Sequence, residues 1–268
     1  MKVVSLRRYP VKSMAGESLD SALLDCRGVE GDRWYAVEDA DGHFASGKNT
    51  RRFRRRDQVF SYAAATSRSG DVIVTGGPGK WTVGDPGLDR QLSREMGLDV
   101  RVTPEADIPH QDMGSVSLIG TATLDWCANR WGVHADPRRL RVNIVFSSEE
   151  PFIEETWVGR TFACPAARLR VVERVPRCRM VDVDQDGATA DGRWLKPLAA
   201  ERDMLLAVYG DVASGGAIRV GDQVSVLSRA PPLNSRNPLR SIPCRVPSAD
   251  PLPGEDHVTV VKLGLSNT

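Results

Sequence analysis

Cys178 lies between two arginines in Arg174-Val175-Pro176-Arg177-Cys178-Arg179-Met180. A free thiol titrates near ~8.5, and flanking guanidiniums favour its anion. Pro176 interrupts a strand ladder just before it, which puts the thiol at a strand break. A thiolate so placed is either a nucleophile or a soft metal ligand. Further ligands are not close in sequence: His43, His110, His134 and His257 are scattered along the chain, so a tetrahedral site made of protein alone is not expected. A metal bound here would have to bring ligands of its own.

The other cysteines, 26, 127, 164 and 244, form no close pair and no finger spacing, and an odd total of five cannot all pair within one chain. Most are expected to be free thiols, and Cys127 to be core. Three clusters set a cation beside a turn or strand end: Tyr9-Pro10-Val11-Lys12-Ser13, Gly31-Asp32-Arg33-Trp34, and Arg139-Leu140-Arg141-Val142-Asn143-Ile144-Val145. A fourth run, Lys48 to Arg56, holds Arg51, Arg52, Arg54, Arg55 and Arg56; it reads equally as a phosphate-meeting patch and as a solvated loop face. Asp182, Asp184 and Asp186-Gly187 open like a calcium loop. Position 193 is Arg where that loop needs Glu, so the run reads as a polar turn. The GxxxxGK[ST], GxSxG and HExxH patterns do not occur.

With 36 Lys and Arg against 35 Asp and Glu, the net charge of +1 gives no field to gather polyanions, and no nucleic-acid partner is expected. Arg7-Arg8 is not followed by an apolar stretch, and no run approaches the ~18 apolar residues of a membrane helix. A cytoplasmic protein with no membrane partner is expected.

The elements that would position these groups are mostly strands. Short β-like runs cover 3–6, 19–24, 34–37, 59–65 and 72–75, with Asp41-Gly42 as a hairpin turn. Leu88, Leu92 and Met96 have helical spacing and end at Gly97, and 118–131 reads as a strand end feeding a second helix. Further strands are expected at 142–146, 169–175, 180–183 and 205–209, with a final hairpin-like pair at 218–220 and 224–227. The fold class is mainly β with a few helices, α+β, closed or half-closed into barrels. After Ser228 prolines break any regular element. There 257–263 alternates well enough to add an edge strand, and Cys244 receives no role.

The order Tyr-Pro-Val-Lys-Ser, Gly-Asp-Arg, Arg-Xaa-Asn-Ile-Val, Phe152-Ile153-Glu154-Glu155-Thr156-Trp157-Val158-Gly159, Arg-Cys and Gly221-Asp222 resembles the MOSC family, named for molybdenum cofactor sulfurase C-terminal domains. The first half is similar to the β-barrel domain that precedes MOSC in the amidoxime-reducing relatives. The resemblance implies an N-terminal β-barrel subdomain over 1–104 packed on a MOSC β-barrel over 105–228, with 229–268 as a proline-rich tail. It implies a molybdopterin-type molybdenum cofactor, with Cys178 as metal ligand and Arg177 and Tyr209 at the reacting centre. Lys12, Ser13, Arg33, Arg141 and Asn143 match cofactor-contacting positions. Ser46-Gly47-Lys48-Asn49-Thr50-Arg51 stands where relatives carry Thr-Xaa-Arg, so Lys48 or Arg51 would supply that cation, and Gly120 stands where they carry a serine. The chain has no iron-sulfur, flavin or haem motif, so reduction of an N-hydroxylated small molecule would need a separate electron-donor protein. The alternatives are sulfur transfer through a Cys178 persulfide loaded by a cysteine desulfurase, and a pterin- or nucleotide-binding module without catalysis.

Overall fold

The structure, a computed structural model, describes residues 1–77, 79–189 and 192–228. The sequence-expected tail over 229–268, with its edge strand and Cys244, lies outside the described residues. Among the described residues short strands dominate, with four α-helices at Pro86–Met96, Thr121–Trp131, Pro137–Leu140 and Leu195–Glu201, so the expected mainly β, α+β class holds. In Val3–Arg8, Val3 and Leu6 are buried while Val4 is exposed; they are three positions apart, and the register shift between Val3 and Ser5 against Ile144–Phe146 lets both reach the core. The Asp41-Gly42 turn joins the antiparallel strands Tyr35–Asp39 and Phe44–Ser46, with Gly42 at φ 78°.

The largest sheet has eight strands among the described residues and joins strands as far apart in sequence as Val3–Arg8 and Ser225–Leu227. Val3–Arg8 pairs with Ile144–Phe146, which runs parallel to Val116–Gly120; that strand pairs with Leu205–Ser214, then Arg168–Pro176, Thr161–Ala163 and Ser225–Leu227. The expected barrels are not closed by continuous ladders. The eight-stranded sheet instead curls until residues leading into its last strand meet Val3–Arg8: Val3 donates to the Asp222 carbonyl at 2.9 Å, Gly221 to that of Val3 at 2.9 Å, and Val224 to that of Met1 at 2.9 Å. Closure stops at these few bonds because Ser225–Leu227 leaves to pair with Thr161–Ala163. The expected hairpin near 218–227 is corrected for the same reason: Gly216–Arg219 pairs with Ser21–Asp25, so the two strands join different sheets. Residues 180–183, expected as strand, form a short 3-10 turn over Arg179–Asp182. Asp182 holds that turn against the following helix by accepting from Trp194 N–H at 2.6 Å.

Three apolar clusters surround one polar space. The first, with Val3, Leu6, Leu118, Ile144 and Phe146, fills the curled sheet. The second, with Val11, Met14, Val59, Leu88 and Leu92, belongs to residues up to Val102, and Met180 packs against it. The third, with Leu140, Val142, Val175, Val181 and Leu206, holds helix Thr121–Trp131, where Cys127 is fully buried as expected. Val11 and Met14 flank Lys12-Ser13, Leu140 and Val142 flank Arg141, and Val175 and Val181 flank Cys178. The polar residues between these anchors are thereby turned to the space where the clusters meet.

Candidate functional site

That space is a cavity of about 200 Å³ lined by Lys12, Ser13, Arg33, Lys48, Arg141, Asn143, Arg177, Cys178 and Tyr209, and also by Asp112, Gly114, Ser117, Arg139 and Met180. Nine of the ten residues expected at a site therefore line one cavity. Arg51 is the exception: it is exposed and does not line the cavity. Its neighbour Arg52 turns to the loop over the cavity, donating to the carbonyls of Pro109 at 2.9 Å and Asp112 at 3.1 Å.

Cys178 follows the strand Arg168–Pro176 and is a half-buried free thiol. Cys127 and Cys164 are also free, but burial pushes both thiols up to about 12, so neither offers a thiolate. The two arginines beside Cys178 are not equivalent, which corrects the expectation that both act on it. Arg179 pairs with Asp57 at 2.7 Å and 2.9 Å and does not line the cavity. Arg177 is held over the cavity by Nε donating to the Leu206 carbonyl at 2.8 Å and Nη1 to that of Leu140 at 2.7 Å. Its Nη2 is buried with no hydrogen-bond partner among the described residues. Burial lowers Arg177 to about 10, with Tyr209 and Cys178 acting the other way, so it stays charged at neutral pH.

Asp32 and Tyr9 explain two of the sequence clusters. Asp32 is fully buried, accepts from Tyr9 N–H at 2.8 Å and pairs with Arg33. The Tyr9 ring, also fully buried, has the Arg141 guanidinium 4.2 Å and that of Arg33 4.9 Å from its centre. An aromatic face attracts cations and so holds these two close despite their repulsion. Burial disfavours the charge of Arg33, but Asp32, with Tyr9 and Tyr209, more than restores it. Burial also brings Arg141 down to about 10, partly offset by Tyr9. Ser13, Arg33 and Arg141 all have positive φ, at 68°, 54° and 51°. Three non-glycine residues in that region on one wall is strain of the kind that collects at functional sites.

Lys12 is 4% exposed; its Nζ donates to the His110 carbonyl at 2.7 Å and lies 3.4 Å from Asp112 Oδ1. Burial is the main cause that lowers Lys12 to about 8. Lys48 Nζ is 3.0 Å from the same Asp112 oxygen. Burial would raise Asp112, but Lys12 and Lys48 hold it well below the usual carboxylate range. Asn143 is used structurally: Oδ1 accepts from Ser117 N–H at 3.1 Å and Ser117 Oγ at 3.0 Å, which locks strand Val116–Gly120 to the Arg141–Asn143 turn. Ser117, not Gly120, is the residue of that strand on the cavity; Gly120 caps helix Thr121–Trp131 and donates to Glu154. Tyr209 sits over Gly114, where any Cβ would fall 2.4 Å from its ring, so residue 114 must be glycine for the ring to lie there. Burial raises the Tyr209 phenol above its ordinary value. Asp112 carries no local sequence signal, since its partners are 100 and 64 residues away.

Chemically, the arrangement can hold an anion carrying a soft metal or sulfur centre against the thiol. A model of the MOSC domain matches residues 105–225, and one of the MOSC N-terminal beta barrel domain matches residues 1–63. A molybdenum cofactor sulfurase from Danio rerio is 36% identical over 62 residues, which is 23% of this chain and 7% of that protein. The YuaD protein from Bacillus subtilis aligns over 84% of this chain and 94% of its own at 15% identity, with a TM-score of 0.45. YiiM from Escherichia coli aligns over 86% of this chain and 71% of its own at 11% identity, with a TM-score of 0.41.

Proposed function

We propose, from the premise that this chain carries a MOSC domain behind a MOSC N-terminal β-barrel domain, that it is an oxidoreductase which works with a molybdopterin-type molybdenum cofactor and reduces N-hydroxylated or similarly oxidised small molecules. The observation that carries this reading is that one cavity is lined both by a free, half-buried thiol, Cys178, and by Arg177, whose Nη2 is buried with no hydrogen-bond partner among the described residues. An orphaned buried donor is costly, at roughly 1–3 kcal/mol, and an anionic ligand in the cavity relieves it. The residues therefore fit such a group: one thiolate for the metal, and arginine and lysine donors for phosphate and pterin oxygens.

Cys178 would hold the metal, and Arg177, Arg33, Arg141, Lys12, Ser13 and Lys48 would hold the rest of the group. When bound, the cofactor supplies the two-electron chemistry at oxygen. Reduction of an N–OH group to N–H takes two electrons and two protons and releases water, with the electrons coming from a separate donor protein. Tyr209, whose proton burial retains, lines the same cavity and would donate its one hydrogen bond to the reacting oxygen. Asn143 acts through Ser117 by fixing the turn that carries Arg141.

The test is elemental analysis of protein produced with abundant cofactor. Wild type is expected to carry molybdenum in proportion to protein and to reduce a hydroxylated amidine with a reduced donor; Cys178→Ser is expected to lose both. Wild type without molybdenum overturns the reading. The likeness to a sulfurase and the accessibility of Cys178 favour sulfur transfer as the second reading. Incubation with a cysteine desulfurase, followed by mass spectrometry, would then show one extra sulfur on Cys178.

A further inference from the structure

Six cationic side chains among the described residues line the cavity and fall into two groups by what holds them. Arg139 donates to the Val181 carbonyl at 3.0 Å and to that of Ala188 at 3.2 Å. Arg33 is paired with the fully buried Asp32 and bonds the Arg141 carbonyl at 3.2 Å. Arg141 donates to the Met14 carbonyl at 2.8 Å, and Arg177 to two carbonyls. These partners are backbone or buried, and they cannot leave. Lys48 and Lys12, the latter also bonded to the His110 carbonyl at 2.7 Å, differ in sharing a part-exposed carboxylate: both ammoniums converge on one oxygen, Oδ1 of Asp112, at 3.0 Å and 3.4 Å. Among the described residues Asp112 is the only carboxylate lining this cavity.

The Asp112 side chain is also placed to move. It keeps 36% of its surface open, against 4% for Lys12. Its backbone is fixed separately, with the Asp112 carbonyl accepting from Arg52 at 3.1 Å and the preceding Gln111 side chain donating to the Arg27 carbonyl at 3.1 Å. Rotation about its side-chain bonds would carry the carboxylate to solvent and leave the loop in place. The loop needs no unfolding for the two ammoniums to be uncovered.

We infer that Asp112 is a tethered competitor at the cavity's oxyanion subsite: its carboxylate occupies the point between Lys12 and Lys48 that the anionic group of the ligand takes, and so sets which anions bind. This rests on the anion-binding reading of the cavity given above. The carboxylate is held at high effective concentration by its short tether. A monoanion matches it in charge and gains nothing by exchange, whereas a dianion such as a phosphate monoester gains a further unit of attraction to both lysines. Asp112 is therefore a specificity-determining residue that rejects small carboxylates and admits dianionic oxyanions. The charged groups facing this point are Lys12, Lys48 and Arg33, with the His110 ring neutral because burial lowers it to about 4.

The experiment is calorimetric titration of the full chain with sulfate, a permanent dianion, and with acetate, at pH 6.5 and fixed ionic strength. Wild type, Asp112→Asn and Asp112→Ser are compared after their thermal melts are matched. The expected result is that both variants bind sulfate about tenfold more tightly than wild type, as loss of a one-charge competitor implies. Acetate, which wild type rejects, is expected to become a measurable ligand of both variants. Unchanged or weaker sulfate binding in the two variants, or no sulfate binding in any form, overturns the inference. Molybdenum content separates this from the functional reading. Metal-bearing wild type with no gain in the variants sinks the competitor alone, and a tenfold gain in a chain that never carries molybdenum sinks the cofactor reading alone.

Discussion

The two arginines that flank Cys178 are one residue away from it in opposite directions, yet they serve different parts of the molecule. Arg177 belongs to the cavity, with two donors fixed on carbonyls and a third buried and unpaired. Arg179 belongs to the outer face of the 3-10 turn, where its side chain is 37% exposed and pairs with Asp57. The difference comes from the chain's path. Arg177 directly follows the strand, its N–H still bonding the Met204 carbonyl at 2.7 Å, whereas Arg179 begins a turn that takes its side chain toward residues 47 and 57. Adjacency in sequence therefore tells how close a charge can come to the thiol and not whether it does.

The largest effect is expected at Arg177. Arg177→Met keeps the length and apolar stem but removes every donor, leaving the Leu140 and Leu206 carbonyls without that partner and the cavity without its free N–H. Affinity for a dianionic ligand is expected to fall by roughly 30-fold or more, since a charge-assisted hydrogen bond with a buried partner contributes about 2–3 kcal/mol. Calorimetry with sulfate measures it. An affinity within threefold of wild type would mean that the unpaired Nη2 does not face the ligand.

Much of this site was legible in the sequence because its residues are punctuated by apolar anchors. Lys12, Arg141, Asn143 and Cys178 each have buried apolar residues within three positions, and Arg33 follows the fully buried Asp32; nine of the ten expected residues line one cavity. What was not legible depends on long-range contacts. Arg51 follows Lys48 by three residues in an irregular loop, and only the fold decides that Lys48 faces inward. Asp112 meets its lysines from a loop with no periodicity at all. In the fold, the strand at 180–183 was misread because Met180 and Val181 are apolar for two different cores, the second and the third clusters, and not because they share one sheet face. Barrel closure depends on where Ser225–Leu227 finds a partner, a choice that local pattern does not encode.

A middle-sized effect separates the arginine wall from the lysines. Arg177 and Arg141, at about 10, hold their charge through the neutral range, while Lys12 is lowered to about 8 chiefly by burial. A lowered folded value means that Lys12 is charged below about 8 and neutral above it, so the part of anion affinity that it supplies is present at pH 6.5 and lost as pH rises through about 8. Sulfate affinity measured from pH 6.5 to 9.5 is expected to fall several-fold across that range, and Lys12→Arg, whose charge persists, to flatten the profile. A wild-type profile with no inflection, or one that Lys12→Arg leaves unchanged, would assign the fall to another group.

The smallest effect is expected at Arg179, and it is the sharpest check of the asymmetry. Arg179→Gln breaks the pair with Asp57, but Asp57 keeps Arg55 at 2.9 Å, and both partners of the lost pair are more than one-third exposed. Stability is expected to change by about 0–1 kcal/mol, as for other solvent-screened pairs, with the difference shrinking in high salt. Sulfate affinity and metal retention are expected to stay within twofold of wild type, since the guanidinium is anchored outside the cavity. If Arg179→Gln instead matched Arg177→Met in either measurement, the two arginines would both be acting on the thiol, and the turn at Arg179–Asp182 would have to reorganise when ligand binds. Equal melts with unequal ligand affinities would leave the asymmetry where the fold puts it, in the direction each side chain takes from Cys178.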